Sequence, residues 1–333
     1  MSDATPSTLE TLAYPWQQGD WQRVKQLLSA GRLPHALLLS GPAGVGKLRF
    51  GRAFASLLLC ESPQQVACGQ CRSCQLLASG SHPDFREIAP EEGKRQIAID
   101  QVRTVQQFAA QHAHREGGRK LILLHPAEAM NHFTANALLK TLEEPAGTTV
   151  LLLLSHAPSL LLPTIRSRCL QMSLAAPEPA AARQWLGQQL GDAELADTLL
   201  SQTGGSPLAA RALYETDTWG RWQEFDVGLD NVIEQKMPAL QLAEKQQEVD
   251  AELVLDWWAN RLMAVNRHLL AGDKLPGGGW ERWHGMSPTA VYELLDDVVR
   301  SRSQIRRGVV LNKRLLCESL ILRALDLLAA TPA

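Results

Sequence analysis

The chain has 333 residues and a formal net charge of −2, with 45% hydrophobic and 20% charged residues. This length exceeds a single small core and fits two or three domains, and the composition is globular, not disordered. Because the net charge is slightly negative, no overall basic field indicates nucleic-acid binding. Charged residues interrupt the N-terminal region, and no apolar run reaches membrane-spanning length, so we predict a soluble, cytoplasmic protein.

Short apolar runs alternate with helical patterns in the first half of the chain. The predicted strands are 36–40, 85–88, 120–124 and 149–155. The predicted helices are about 49–60, one with an N-cap at Asp100, and about 134–144. This order indicates a parallel sheet covered on both faces. After Pro177 and Pro179 only helical patterns remain, which predicts an all-α second half.

A phosphate-binding pattern follows the first predicted strand. Residues 41–47 read GPAGVGK, so the G-x-x-x-x-G-K spacing stands between a strand and a helix, as a P-loop requires. In such a loop Gly41, Gly44 and Gly46 let backbone amides face a phosphate, and Lys47 reaches the outer phosphates. The pattern predicts a P-loop α/β fold.

Two groups that ATP hydrolysis requires are absent from this pattern. Leu48 stands where a Ser or Thr hydroxyl would bind magnesium, and His125 and Pro126 stand where a strand would end in a carboxylate. Glu128 follows shortly afterwards and is expected to face elsewhere. We predict a degenerate loop that does not hydrolyse ATP. Nucleotide binding without hydrolysis and a loop kept only for packing both stay open.

A cluster of cysteines follows the helix after the phosphate loop. Cys60, Cys68, Cys71 and Cys74 have the spacing C-x7-C-x2-C-x2-C. Four thiolates complete a tetrahedral zinc site with no open position, so the pattern favours a structural zinc over a catalytic one. A redox C-x-x-C pair and an iron–sulfur cluster are the alternatives. A thioredoxin-type motif uses two cysteines, which disfavours the redox alternative.

Three stretches together resemble a known family. HALLLSGPAGVGK at 35–47 precedes the cysteines, GSHPDFREIAPEEGKRQIAIDQVR spans 80–103, and NALLKTLEEP at 136–145 is followed by TIRSRC at 164–169. In this order they resemble the clamp-loader subunits of bacterial DNA polymerase III, which are AAA+ chains of gamma/tau and delta-prime type. The resemblance is firm over about 14–215 and weaker towards the C-terminus.

The resemblance implies a division into three domains. The first, 1–176, is a RecA-like α/β AAA+ domain with a zinc-binding module inserted at about 60–80. The second, 177–217, is a small helical lid. The third, 218–333, is an all-α oligomerisation domain, or collar.

The sequence departs from the hydrolysing gamma/tau members of this family at the magnesium site described above. It also has Leu208 where gamma-like chains carry an arginine in a Gly-Ser-x-Arg segment. The resemblance therefore implies a delta-prime-type chain that does not hydrolyse ATP. The alternatives are an autonomous gamma/tau-like clamp-loader ATPase and, from another class, a zinc-containing regulator that binds nucleic acid.

The family resemblance also assigns a role to Arg168 in the Ser-Arg-Cys segment. In this family the arginine projects into the ATP site of the next subunit, as an arginine finger worth roughly 10³ to 10⁵ in rate. A guanidinium suits this role because it keeps its charge and can grip a phosphate with two hydrogen bonds. On the sequence alone, without the family resemblance, Arg168 would be expected only to form a surface ion pair. The implied partners are gamma/tau and delta subunits in a five-subunit ring, a sliding clamp and primed DNA.

Overall fold

The computed structural model describes residues 13–115, 117–144, 147–273, 275, 279–306 and 309–330. The chain forms two compact units, Met1–Arg211 and Ala212–Ala333. The start of the first predicted domain and Pro145 of the NALLKTLEEP stretch lie outside the described residues, and the three-domain division stays a prediction. No helix within the described ranges is both long enough and apolar enough to cross a membrane.

A five-stranded parallel sheet forms the centre of the first unit. Its strands are β1 (Ala36–Ser40), β2 (Phe85–Ile88), β3 (Lys120–Leu124), β4 (Thr149–Ser155) and β5 (Leu170–Ser173). The spatial order is β2-β3-β4-β1-β5, and every pairing is parallel. The four predicted strands are confirmed with their bounds unchanged, and the α/β fold class is confirmed with them.

Helices connect the strands and cover both faces of the sheet. They are α1 (Gln18–Ser29), α2 (Lys47–Leu59), α3 (Arg72–Ala78), α4 (Ile99–Ala110), α5 (His132–Glu143) and α6 (Pro163–Ser167). After the last strand the first unit continues with α7 (Pro179–Leu190) and α8 (Ala193–Gln202). A ninth helix, α9 (Pro207–Glu215), begins in this unit and ends in the second.

The predicted N-cap at Asp100 is wrong by two residues. Helix α4 has Ala98 as its N-cap, and the Ala98 amide donates to Oε1 of Gln101 at 2.8 Å. Asp100 instead lies in the first turn, where its negative charge still favours the helix N-terminus. A glutamine three residues after the cap replaces the side-chain cap that the sequence suggested.

Alternation along the central strands divides the apolar core into two layers. Leu37 and Leu39 of β1 pack in the layer that contains Phe50 and Phe54 of α2. Leu38 packs on the opposite face, in the layer formed with α4 and α5. Because both faces are covered, the strands read as continuous apolar runs instead of alternating ones. This arrangement holds the phosphate loop between β1 and α2.

The second unit is helical throughout its described part. Its helices are α10 (Thr218–Ile233), α11 (Ala239–Gln247), α12 (Ala251–Ala271), α13 (Pro288–Arg306) and α14 (Lys313–Ala329). Four tryptophans of this unit are fully buried: Trp257, Trp258, Trp280 and Trp283. The Asp226 carboxylate lies among them and accepts hydrogen bonds from two of these indoles, so the tryptophans belong to this core.

Candidate phosphate loop, cysteine cluster and arginine edge

The GPAGVGK stretch joins β1 to α2, as the motif predicts, and Lys47 is the first residue of that helix. Gly44 and Gly46 adopt the left-handed backbone conformation, with φ of +76° and +92°. A Cβ on Gly44 would lie 2.4 Å from the backbone nitrogen of Ala209, and one on Gly46 would lie 2.4 Å from the Tyr14 ring. Both positions therefore need glycine for conformation and for close packing.

The ammonium group of Lys47 is bonded to the loop itself. The residue is only 3% exposed, and its Nζ donates to the carbonyl oxygens of Gly41 at 2.7 Å and Pro42 at 2.6 Å. Burial lowers the pKa of Lys47 to about 8, although the nearby charge of Glu128 acts to raise it. The group that would reach a phosphate is thus engaged within the chain.

Segments distant in sequence pack against the same loop. The Nε1 atom of Trp16 and the Nε2 atom of Gln17 each donate to the Val45 carbonyl oxygen at 3.0 Å. From the other side, the Leu208 amide donates to the Gly44 carbonyl oxygen at 3.0 Å. Sequence reasoning missed Trp16 and Gln17 because they belong to no motif, and their only signal is an aromatic cluster before the first helix.

The position that would supply a magnesium ligand belongs to an ion-pair cluster. His125 follows β3, and its Nε2 lies 2.8 Å from Oε1 of Glu87 on β2. Arg52 of α2 donates to the same carboxylate through Nε at 3.0 Å and Nη2 at 2.6 Å. Burial alone would raise the pKa of Glu87, but the hydrogen bonds from His125 and Arg52 hold it at about 2. The carboxylate is therefore neutralised inside the chain.

Glu128 is bonded to the backbone that follows β4. Its Oε1 accepts the backbone amides of His156 at 2.8 Å and Ala157 at 3.2 Å. Its charge also acts to raise the pKa of Lys47, against the larger effect of burial. The described contacts of Glu128 are therefore with the end of β4 and not with a magnesium-binding position.

The four cysteines converge as their spacing predicts. Their Sγ atoms all lie within 4.8 Å of one another. The Sγ atoms of Cys60 and Cys71 are 4.0 Å apart, and so are those of Cys68 and Cys74. A tetrahedral ion with sulfur ligands at about 2.3 Å holds those sulfurs roughly 3.8 Å apart. The donor set and its spacing therefore fit a four-coordinate metal ion.

Backbone amides surround the sulfurs of this cluster. The amide of Cys68 donates to the Cys60 sulfur at 3.3 Å, that of Cys71 to the Cys68 sulfur at 3.3 Å, and that of Cys74 to the Cys71 sulfur at 3.4 Å. Amide hydrogen bonds from Gln70 and Cys71 lower the pKa of Cys68 to about 6, whereas burial raises the pKa of Cys74. Such N–H donors stabilise thiolates, the form that binds metal.

A buried polar chain ties the cysteine cluster to the sheet. The Ser73 hydroxyl donates to the Leu59 carbonyl oxygen at 2.6 Å and lies 2.7 Å from Nε2 of His82. The other ring nitrogen of His82 accepts the Asp84 amide at 3.0 Å. These contacts assign His82 as a neutral ring protonated at Nε2, because Nδ1 faces a donor. The Gly-Ser-His-Pro-Asp stretch therefore anchors the cluster beside β2.

Arg168 lies at the edge of the first unit. It is the C-cap residue of α6, and Cys169 separates it from β5, which is an edge strand. Its Nη2 lies 2.6 Å from Oε1 of Glu143, and its Nη1 donates to the Thr164 carbonyl oxygen at 2.9 Å. The side chain is 35% exposed. The sequence identified this arginine but not its partner, because Glu143 stands 25 positions earlier, in the NALLKTLEEP stretch.

Comparison with known proteins identifies the family of this chain. Residues 16–178 match the family model described as DNA polymerase III, delta subunit. The DNA polymerase III subunit delta' of Pseudomonas aeruginosa is 40% identical over 321 residues, which cover 93% of this chain and 96% of that protein. The Escherichia coli subunit delta' is 37% identical over 320 residues, covering 93% and 94%. The chain therefore belongs to the DNA polymerase III subunit delta' family.

Proposed function

We propose that this chain is a non-hydrolysing member of a clamp-loader ring, where it supports ATP hydrolysis by a neighbouring subunit. Its family membership supports a ring with gamma/tau-type ATPases and delta, which loads a sliding clamp onto primed DNA in the cytoplasm. The observation that carries the proposal is the bonding of Lys47 to its own loop through Gly41 and Pro42. Two of the three ammonium donors of Lys47 are thereby used inside the loop itself.

The chain also lacks the remaining parts of a hydrolytic site. Leu48 has no oxygen for magnesium, and His125 contacts Glu87 where an ATPase would place a metal-binding carboxylate. Within the described residues, Glu87 is engaged by Arg52 as well. We therefore propose that Gly41, Gly44, Gly46 and Lys47 form a degenerate loop that stabilises the fold without turnover.

Arg168 is the group that acts on a neighbour in this proposal. It stands beside an edge strand, is about one-third exposed, and uses only some of its guanidinium donors in the described contacts. Transition-state charge on a transferring phosphoryl group is stabilised by an arginine from the adjacent subunit. Arg168 would supply this charge in trans, while the neighbour binds the ATP and its magnesium.

The cysteine cluster has a structural role in this proposal. Cys60, Cys68, Cys71 and Cys74 would hold a zinc ion that cross-links the end of α2 to α3. No ligand position would remain for a substrate, which supports a structural ion and not a catalytic one. We also propose that 177–217 acts as a lid and 218–333 as the oligomerisation collar.

ATP turnover in a reconstituted clamp loader tests the proposed function. Gamma/tau and delta are assayed with clamp and primed DNA, with and without this chain, beside the chain alone. We expect the chain alone to be inactive and the mixture to gain turnover when it is added. Hydrolysis by the chain alone at a comparable rate would favour the gamma/tau-like alternative.

Substitution of Arg168 tests the finger. Arg168→Ala should lower turnover of the mixture about tenfold or more, since arginine fingers contribute large rate factors. Arg168→Lys keeps the charge but loses the planar fork, so it should restore little. Unchanged turnover with Arg168→Ala would remove this role.

A further inference from the structure

The guanidinium of Arg168 is anchored at two points by its own chain. Nη2 binds Glu143, Nη1 binds the Thr164 carbonyl oxygen, and the Arg168 amide donates to the Ile165 carbonyl oxygen at 3.1 Å. We infer that Glu143 is a positioning residue that orients Arg168 towards the neighbouring subunit's ATP. This inference rests on the proposed role of Arg168 as an arginine finger.

Two anchors on different nitrogens restrict the plane of the guanidinium. A planar group bonded at Nη1 and Nη2 cannot swing freely about the Cδ–Nε bond, so its remaining N–H donors keep a defined direction. Within the described residues those donors have no further partner. Arg168 can thus grip a phosphate while Glu143 and Thr164 still hold it.

The two anchors stand on elements that the core makes rigid. Glu143 is the last residue of α5 and directly follows Leu142, which is 1% exposed. Thr164 lies in α6 beside Ile165, which is fully buried. Leu142 and Ile165 belong to the same buried cluster, so the ends of α5 and α6 are held in one layer. A carboxylate on this support orients a partner better than one on a free loop would.

The solvent exposure of the Arg168–Glu143 ion pair fits a positioning role, because an exposed pair does not hold the arginine too tightly for it to bind a phosphate. The side chains of Arg168 and Glu143 are 35% and 49% exposed. An ion pair in such surroundings biases a side chain by no more than about fivefold, because solvent screens it. This bias is enough to enrich one orientation and weak enough to leave the guanidinium available to a phosphate. The expected effect of removing Glu143 is therefore modest.

Steady-state kinetics of the reconstituted clamp loader test this inference. The full chain carries Glu143→Ala, Glu143→Gln, Arg168→Ala or both alanine substitutions, and kcat and KM for ATP are measured with clamp and primed DNA. We expect Glu143→Ala to lower kcat about threefold with KM unchanged, since ATP is bound by the neighbour. Glu143→Gln should recover part of the loss, because an amide oxygen still accepts from Nη2.

The double variant separates positioning from a structural role. If Glu143 acts only through Arg168, the double variant should match Arg168→Ala alone. Glu144→Ala is the matched control, because it removes the adjacent charge of the same motif outside the ion pair. Thermal melting of each variant checks folding.

The outcomes distinguish this inference from the proposed function. If Arg168→Ala lowers kcat and Glu143→Ala does not, the positioning role is wrong and the finger stands. A double variant that loses the product of both single effects would show that Glu143 acts elsewhere. If Arg168→Ala itself leaves kcat unchanged, the finger is wrong, and Glu143 has nothing to position.

Discussion

The phosphate loop and the cysteine cluster are both signalled by short motifs in the first unit, but their functional groups are used differently. At the loop, Lys47 is bonded to the carbonyl oxygens of Gly41 and Pro42, and other segments pack on both sides. At the cluster, four sulfurs converge within 4.8 Å of one another. The charged group of the loop, Lys47, is bonded within the chain, whereas the four cysteine sulfurs all face one point that a metal ion could occupy.

This difference shows that a motif predicts geometry and not availability. The glycines of the loop adopt the conformation that a P-loop needs, yet Lys47, the first residue of α2, is engaged internally. Two of the three N–H donors of the Lys47 ammonium are used by carbonyl oxygens of its own loop. Four close thiolates repel one another and gain most from a shared cation.

Loss of a cysteine ligand should have the largest effect. Cys74 is fully buried, and Cys74→Ser removes one of four sulfurs from the predicted zinc site. Because structural zinc binding contributes on the order of 10 kcal/mol in small domains, we expect zinc content to fall from one ion per chain to nearly none. Elemental analysis of purified protein measures this. Cys317→Ala, a buried cysteine outside the cluster, should keep its zinc, and full zinc content in Cys74→Ser would contradict the site.

The ion pairs of Glu87 with Arg52 and His125 predict that acid lowers the stability of the folded chain. The folded pKa of Glu87 is about 2, below its ordinary value of 4.5, so its contribution is complete above about pH 4.5 and is lost as pH falls towards 2. That contribution is about 2 kcal/mol after allowance for partial exposure. Glu87→Gln should therefore be less stable at neutral pH, and the difference should shrink between pH 4.5 and 2.

Urea unfolding of both proteins at several pH values measures this effect. The control is Glu91→Gln, which removes an exposed carboxylate whose described ion pair is with Lys94. Acid also weakens metal binding, but it does so in all three proteins, so only their difference reports on Glu87. If the free energies of unfolding of wild type and Glu87→Gln differ by the same amount across the acid range, the ionised Glu87 carboxylate does not stabilise the fold in this way.

Restoring the magnesium-binding residues that the ATPase motif lacks should have the smallest effect, which is measured on ATP turnover. Leu48→Thr with His125→Asp returns a hydroxyl and a carboxylate, but the bonds of Lys47 and the packing of Trp16 and Gln17 on the loop remain. We expect ATP turnover of this double variant to stay at the background of the wild-type chain. A gain in turnover would show that the missing hydroxyl and carboxylate keep the loop inactive, and not the packing of Trp16 and Gln17 against it. Thermal melting checks that the new carboxylate beside Glu87 leaves the chain folded.

Four of the five strands were predictable to the residue because they are short apolar runs in a parallel sheet, whereas β5, a largely exposed edge strand, gave no such signal. Such strands read as unbroken apolar runs bounded by loop residues, and this signal needs no knowledge of the partners. The start of α4 was less predictable, because Gln101 closes the helix end from inside and Asp100 does not cap it. Capping preferences identify the residues that can close a helix N-terminus, but they do not decide which of several neighbouring candidates does so in the folded chain.

The sequence alone determined the glycine pattern of the loop, the metal-type spacing of the cysteines and the Ser-Arg-Cys segment that contains Arg168. Each of these depends on residues close together in the chain. Only the tertiary structure decided which groups are engaged. Gln17 reaches Val45, and Glu143 reaches Arg168, because folding brings separate segments together. Hydrogen bonds and ion pairs act over a few ångströms in space, so the partners of a motif cannot be read from its spacing.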